Sequence, residues 1–366
     1  MTDRVVVIGG GILGTMHAWH AVKRGMHVTH VEREAGARGA SVRNFGLVWV
    51  SGRAPGPELA LGLRARELWD EVAADCPGTG FRPAGSLTVA TDEPAVSALE
   101  LAADLPDAAA RGFQLLDADE ARARCQALGA DVLAALFCER DAIVEPRLTP
   151  AAIRARLVQS SRYTWRPGRH IVDTDSAGAI DDLGQRHPAD LTVVCTGAAH
   201  RGLLGGVLDG LALRRVRLQM LETAPLDTTI STAIADADSL RYYPAFAGPP
   251  RDHLAVQDPL AEAWAAQLLL VQRLDGSLTI GDTHAHDEPF AFDYDSSPEA
   301  HLLATASRIL GRPLPEVRRR WTGVYSQVTD DRTYARVSPL PGVVIVTGPG
   351  GRGMTLSPAI AEETFQ

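Results

Sequence analysis

A chain of 366 residues with 45% apolar and 22% charged side chains has the make-up of a globular protein large enough for two domains. Its formal net charge of −9 argues against a nucleic-acid partner. The cysteines, Cys76, Cys125, Cys138 and Cys195, are widely spaced with no C-x-x-C pair, which argues against a zinc site or a disulfide framework and points to a reducing compartment.

Val5 to Ile8 is a β-branched run that predicts a first strand. Gly9-Gly10-Gly11-Ile12-Leu13-Gly14 follows, then a helix over 15–24 ended by Gly25, then a second strand over 28–31 that runs into Glu32. Strand, glycine turn, helix, strand and acid together match the dinucleotide-binding fingerprint. Gly9 allows the tight turn, Gly11 lets backbone approach a pyrophosphate, and Gly14 lets helix and sheet pack closely. The helix N-terminus has unpaired N–H groups and a positive dipole end that suits phosphate, and Ile12 and Leu13 in the turn are candidate cofactor contacts. Glu32 is placed to accept bonds from ribose hydroxyls, and its charge would repel a 2′-phosphate, so FAD or NAD is expected rather than NADP.

The stretch 33–43 is rich in Gly, Ala and Ser, and Gly39-Ala40-Ser41 predicts a turn and cap where a cofactor tail can lie. Arg33, Ser41, Arg43 and Asn44 are candidate cofactor contacts in this region, and Trp49 is a candidate pocket wall. Helices are expected over 58–74, 94–109 and 119–125, with strands over 86–90 and 132–138. Thr149 and Pro150 predict the cap and first residue of a helix over 151–159. Strands are expected over 163–182, and 190–198 reads as a buried strand ending in a small-residue turn at Gly197 that returns to the first sheet. Residues 213–291 are mostly strand-like, with one helix over 258–270, and a further helix spans 298–310. The last apolar strand, 341–347, enters Gly348-Pro349-Gly350-Gly351-Arg352-Gly353 and a helix from about Met354-Thr355. The chain stops in that helix without a cap, so loss of its final turns is expected. No stretch is long and apolar enough to span a membrane, and the N-terminus enters a strand directly, so a cytoplasmic protein is expected.

The fold class is therefore α/β: a Rossmann-like FAD-binding domain assembled from 1–80, 142–212 and 321–366, with a second, mixed-sheet substrate domain from 81–141 and 213–320.

Three stretches together resemble the FAD-dependent oxidoreductases of the D-amino acid oxidase superfamily. These are the Gly9–Gly14 fingerprint with Glu32, Val194-Cys195-Thr196-Gly197-Ala198, and Gly348-Pro349-Gly350-Gly351-Arg352-Gly353-Met354-Thr355. Glu145-Pro146-Arg147-Leu148-Thr149-Pro150 is similar to a further segment of that superfamily. The last glycine loop decides for FAD over NAD. The stretches 9–20 and 43–49 resemble a narrower clade proposed to oxidise aminophosphonates.

The resemblance implies hydride transfer from the carbon beside a neutral amine to flavin N5, giving an imine and then an aldehyde, with oxygen or another acceptor closing the cycle. The stretch 321–325, where covalent members carry a cysteine, has none, so FAD is expected to be non-covalent. The substrate-clamping arginine of a Gly-x-Arg-Pro pattern is replaced by Tyr325 in Gly323-Val324-Tyr325-Ser326. Tyr325, His284 and Arg352 are the candidate catalytic residues. Arg241, Tyr242, Tyr243, Arg332 and Arg336, with Trp49, are the candidate substrate contacts, and Arg43 is a further candidate anion clamp. These suit a small anionic amine such as 2-aminoethylphosphonate or an N-methyl or hydroxy form. A sarcosine- or glycine-type oxidase is the alternative, and a flavin-dependent tRNA-modifying protein is disfavoured by the acidic balance. His284 and His286 alternate along one edge without a clear third ligand, so a pocket histidine is expected there and no metal. His17 and His20 share a face of the first helix and are open to a packing or a functional reading. A homo-oligomer is compatible with the sequence.

Overall fold

In the computed structural model, which describes residues 3–203 and 205–366, the chain winds around two large sheets. The first has six strands in the order Ala335–Leu340, Val343–Thr347, Leu191–Val194, Arg4–Ile8, His27–Glu32, Tyr163–Pro167. Its pairings are parallel except for the antiparallel edge pair Ala335–Leu340 with Val343–Thr347. Val5, Val6, Val7 and Ile8 are all buried, which is why this strand reads as an unbroken apolar run rather than an alternation. Helices Ile12–Lys23 and Gly353–Thr364 pack together on one face, sharing a core with Met16, Trp19, Leu356 and Ile360. On the other face, Val6 and Ile8 meet Ile171 and Ala179 of a small antiparallel sheet and Ala189 just after its last strand.

The second sheet has eight strands in the order Val317–Val328, Leu213–Pro225, Ser277–Gly281, Leu269–Gln272, Ala233–Asp236, Ser86–Ala90, Ala134–Cys138, Phe113–Asp117. Its long edge ribbon sets Val216 opposite Tyr325 and Leu218 opposite Gly323. The border expected at residue 321 falls inside strand Val317–Val328, which stays with this second sheet to its end.

Several boundaries differ from expectation for local reasons. The first helix starts at Ile12, because the Ser41 hydroxyl takes up the Ile12 amide at 2.8 Å. The helix expected over 94–109 is two, Glu93–Ala103 and Ala108–Arg111, with Pro106 between them unable to donate a helical bond. The helix over 258–270 shrinks to Pro259–Ala263, and Leu269–Gln272 is instead a buried strand. Thr149 is the first helical residue rather than the cap. Its hydroxyl donates to the Glu145 carbonyl at 2.8 Å. The last helix closes at Thr364, the Phe365 amide bonding the Glu362 carbonyl at 3.1 Å.

His17 turns out to be a packing residue. It is bonded to the Leu13 carbonyl at 2.7 Å and to Thr364 at 2.9 Å, and so ties the first helix to the last. His30 bridges Tyr163 and the Gly9 carbonyl, each at 2.9 Å. Burial pushes His17 down to about 3 and His30 down to about 4. The unfolded chain therefore binds protons first. This part of the stability is fully present above about pH 6.5 and is lost as pH falls towards the folded values, by about 1.4 kcal/mol per pH unit for each histidine. The melting temperature should drop clearly between about pH 7.5 and pH 5, and a flat profile would contradict neutral burial.

Candidate active site

A cavity of about 1120 Å³ runs from the C-terminal ends of the first-sheet strands to the inner face of the second sheet. That is where open α/β sheets bind ligands, and the volume exceeds the roughly 300–1,000 Å³ of ordinary small-molecule sites. Ile8, Val31 and Glu32 mark one end; Tyr242, Tyr325 and Asp282 mark the other.

At the first end the glycine turn is held by its neighbours. Gly9 has φ +110°, and a Cβ there would lie 2.3 Å from the Cys195 carbonyl oxygen. Glu32 accepts the Gly10 amide at 2.6 Å and the Glu34 amide at 2.9 Å. Gly11, Ile12, Leu13, Ser41 and Gly197 line the wall, with Arg33 at its exposed margin. Gly14 does not line it. A Cβ at Gly14 would sit 1.9 Å from the Gly9 carbonyl oxygen, so its smallness serves the contact between helix and turn. Cys195 also lines this end, its thiol raised by burial.

In the middle, Gly350, Gly351, Gly353, Met354 and Thr355 line the cavity, so the last helix points its N-terminus into it. Gly350 has φ +62°. A Cβ on Gly351 would approach the phenol oxygens of Tyr242 and Tyr325 at 3.4 and 3.9 Å. Thr355 accepts the Trp49 amide at 2.9 Å, which fixes Trp49 as a buried wall. Arg43 and Asn44 line the cavity too, but their donors are engaged locally. Arg43 gives its bonds to the Arg38 and Thr322 carbonyls, at 2.8 and 2.9 Å. The Asn44 amide gives its bond to the Ala40 carbonyl at 2.8 Å.

The far end gathers Tyr242, Tyr243 and Tyr325, with the Tyr242 and Tyr325 hydroxyls 3.2 Å apart. Burial raises the Tyr243 and Tyr325 phenols, so they remain protonated donors, while Tyr242, 36% exposed, reaches in with its hydroxyl. Tyr242 stacks on His284 with ring centres 4.3 Å apart. His284 is buried, bonds the Ala265 carbonyl at 2.9 Å through Nδ1 and turns Nε2 towards Asp282 at 3.7 Å. Asp282 is buried as well, and burial raises its carboxyl. His286 lines the cavity nearer its mouth, partly exposed. Arg352 is placed as expected in the glycine loop, but it bonds the Pro349 carbonyl at 3.1 Å and Glu58 at 2.8 Å.

Three expected anion clamps are corrected. Arg332 and Arg336 do not line the cavity. Arg332 pairs with Asp330 at 2.7 Å, and Arg336 bonds the Ile360 carbonyl at 2.8 Å and pairs with Glu363 at 3.3 Å. Arg241 reaches the wall, yet its guanidinium is spent on Asp238 at 2.5 Å and on the Ala255 carbonyl. Two residues that sequence reasoning passed over stand in this end instead: Asp282 and Arg53. The Arg53 guanidinium is 4% exposed and lies 3.3 Å from Glu58. Asp282 carried a signal, since it lies in the same run as His284, but it reads as a turn residue there. Arg53 sits between Gly52 and Pro55 with no motif around it.

These features fit a dinucleotide. A side chain at Gly9 would collide with the turn's own support, an acid stands at the end of the second strand, and two helix N-termini meet one long cavity. Known proteins agree with this. The model of the DAO family, described as FAD dependent oxidoreductase, matches residues 4–366. An opine oxidase component from Rhizobium meliloti is 30% identical over 148 residues, 37% of this chain and 40% of that protein. The thiamine biosynthesis oxidoreductase named ThiO of Rhizobium etli is 30% identical over 236 residues, 63% of each. The matches therefore span less than two thirds of either curated relative. The crystal structure of glycine oxidase from Geobacillus kaustophilus superposes with a TM-score of 0.77 at 20% identity, over 100% of this chain and 93% of that one, a likeness of fold. Among the described residues no helix is long and apolar enough to cross a membrane. With the family model matching almost from end to end, the chain belongs to the DAO family of FAD-dependent oxidoreductases.

Proposed function

We propose that the chain holds FAD non-covalently and oxidises a small amine bearing an anionic group, with 2-aminoethylphosphonate or an N-methyl or hydroxy form as the substrate class. The observation that carries this reading is the far end of the cavity. Phenols of Tyr242 and Tyr325 and a buried guanidinium offer donors spread in space, and Tyr325 stands where the resemblance would put a carboxylate-gripping arginine. A tetrahedral dianion uses donors arranged this way; a planar carboxylate is better served by one fork.

Bound FAD supplies the hydride acceptor. Glu32 and the Gly11 amide suit its nucleotide half, and Gly351, Met354 and Thr355 would suit the reactive half. Asp282, beside His284, suits the substrate ammonium and takes the proton that must leave before the amine can give up a hydride. Trp49, Tyr243 and Tyr325, all buried, would exclude water from the reacting carbon. The carbon loses a hydride and the nitrogen a proton. The resulting imine takes up water and yields phosphonoacetaldehyde, or its hydroxy form, with ammonia or methylamine. Incubation of the yellow protein with 2-aminoethylphosphonates should produce that aldehyde. Turnover of sarcosine or glycine with no phosphonate product would replace this reading by an ordinary amine or amino acid oxidase.

A further inference from the structure

We propose that Arg53 is the residue that grips the anionic group of the substrate. The inference rests on the reading of this cavity as an anionic-amine site and identifies the side chain on which specificity turns.

Among the described residues lining the cavity, Arg53 is the one buried arginine, and its Nε and Nη1 make no hydrogen bond. Arg241, Arg352 and Arg43 have committed their donors to Asp238, Glu58 and main-chain carbonyls. Glu58 is shared. One oxygen accepts from Arg352 at 2.8 Å, and the other lies 3.3 Å from Arg53 Nη1. A single carboxylate thus faces two guanidiniums, and one positive charge is left over in a site screened from water. A buried cation with open donors calls for an anion.

The position of Arg53 is also fixed. Its charge lies 5.8 Å from the centre of the Tyr243 ring. A Cβ at Gly52 would lie 2.4 Å from Tyr243, and one at Gly62 would lie 3.0 Å from Arg53 Cγ. Both glycines therefore make room for this side chain and the ring beneath it. The preceding residues are held by Asp141, which accepts the Val50 and Ser51 amides and the Ser51 and Ser86 hydroxyls. A guanidinium set on such a rigid strut loses little freedom when it binds.

The test compares the holoenzyme's kcat/KM for 2-aminoethylphosphonate with that for propylamine, which lacks the anion. Arg53→Met should lower this preference about tenfold to a hundredfold, the range for charge-assisted hydrogen bonds. Arg53→Lys, which keeps the charge but not the fork, should fall between, and Arg241→Met should stay near the wild type. Should Arg53→Met fail to retain flavin, Arg53→Lys decides, with an expected loss of at least about fivefold. A preference kept within twofold in the flavin-loaded Arg53 variants, or lost in Arg241→Met instead, overturns the assignment while leaving the substrate reading in place. A wild type with no preference for the anionic amine overturns the substrate reading, and the role of Arg53 with it.

Discussion

Replacing Gly14 with alanine should yield a protein with little soluble material and no bound flavin. The added methyl would sit 1.9 Å from the Gly9 carbonyl oxygen and 3.3 Å from Val7 Cγ1. The oxygen belongs to backbone that cannot give way alone. Gly9 is itself wedged against the Cys195 carbonyl, and its own carbonyl accepts from His30 at 2.9 Å. The helix must therefore lift off the sheet, taking the amides that face the cavity with it. Overpacking a core costs about 1–3 kcal/mol when side chains absorb it, and a clash with fixed backbone lies at or beyond the top of that range. Gly206→Ala, at a glycine with open space and no positive φ, is the matched control and should be near neutral. Flavin absorbance per protein and the melting temperature report the result; a fully loaded Gly14→Ala with an unchanged melting temperature would show that the helix contact does not set cofactor binding.

Replacing Glu32 with alanine should weaken FAD binding about tenfold to a hundredfold without preventing folding. Two effects add. The Gly10 and Glu34 amides lose the acceptor that holds the turn, at 2.6 and 2.9 Å. The ribose hydroxyls, in the proposed pose, lose a charged acceptor, and hydrogen bonds to charged groups are worth about 1.5–3 kcal/mol. Glu32→Gln keeps a neutral acceptor and should lie between. The check is flavin retained on dilution, measured by the return of free-flavin fluorescence. Retention equal to that of the wild type would remove Glu32 from the cofactor site.

What was legible in the sequence was whatever depends on neighbours along the chain. The turn from Gly9 to Gly14, the acid at Glu32 and the loop from Gly348 to Gly353 are local devices, because a tight turn or a close approach requires particular residues at fixed offsets. Their meeting in one cavity follows once Leu191–Val194 and Val343–Thr347 join the first sheet. The substrate end was much less legible. Arg241, Arg332 and Arg336 are arginines in suggestive company, but a guanidinium is available only if nothing nearby takes it, and Asp238, Asp330 and Glu363 do so. Arg53 is available because Glu58, the acid beside it, is shared with Arg352, nearly three hundred positions away. No spacing rule reveals that. Strand Val317–Val328 was likewise hidden. Its first half, with Arg318, Arg319 and Arg320, is too charged to read as a strand, and it is held by pairing with Leu213–Pro225.

The proposed reaction is the oxidation of a small anionic amine held at the tyrosine end of the cavity. Its most direct test is the anaerobic bleaching of the enzyme's flavin by glycine, sarcosine, D-alanine and a set of 2-aminoethylphosphonates, a half-reaction that needs no assumption about the acceptor. At least one phosphonate should bleach the flavin faster than every amino acid in the panel. Faster bleaching by sarcosine or glycine than by all of the phosphonates would contradict it.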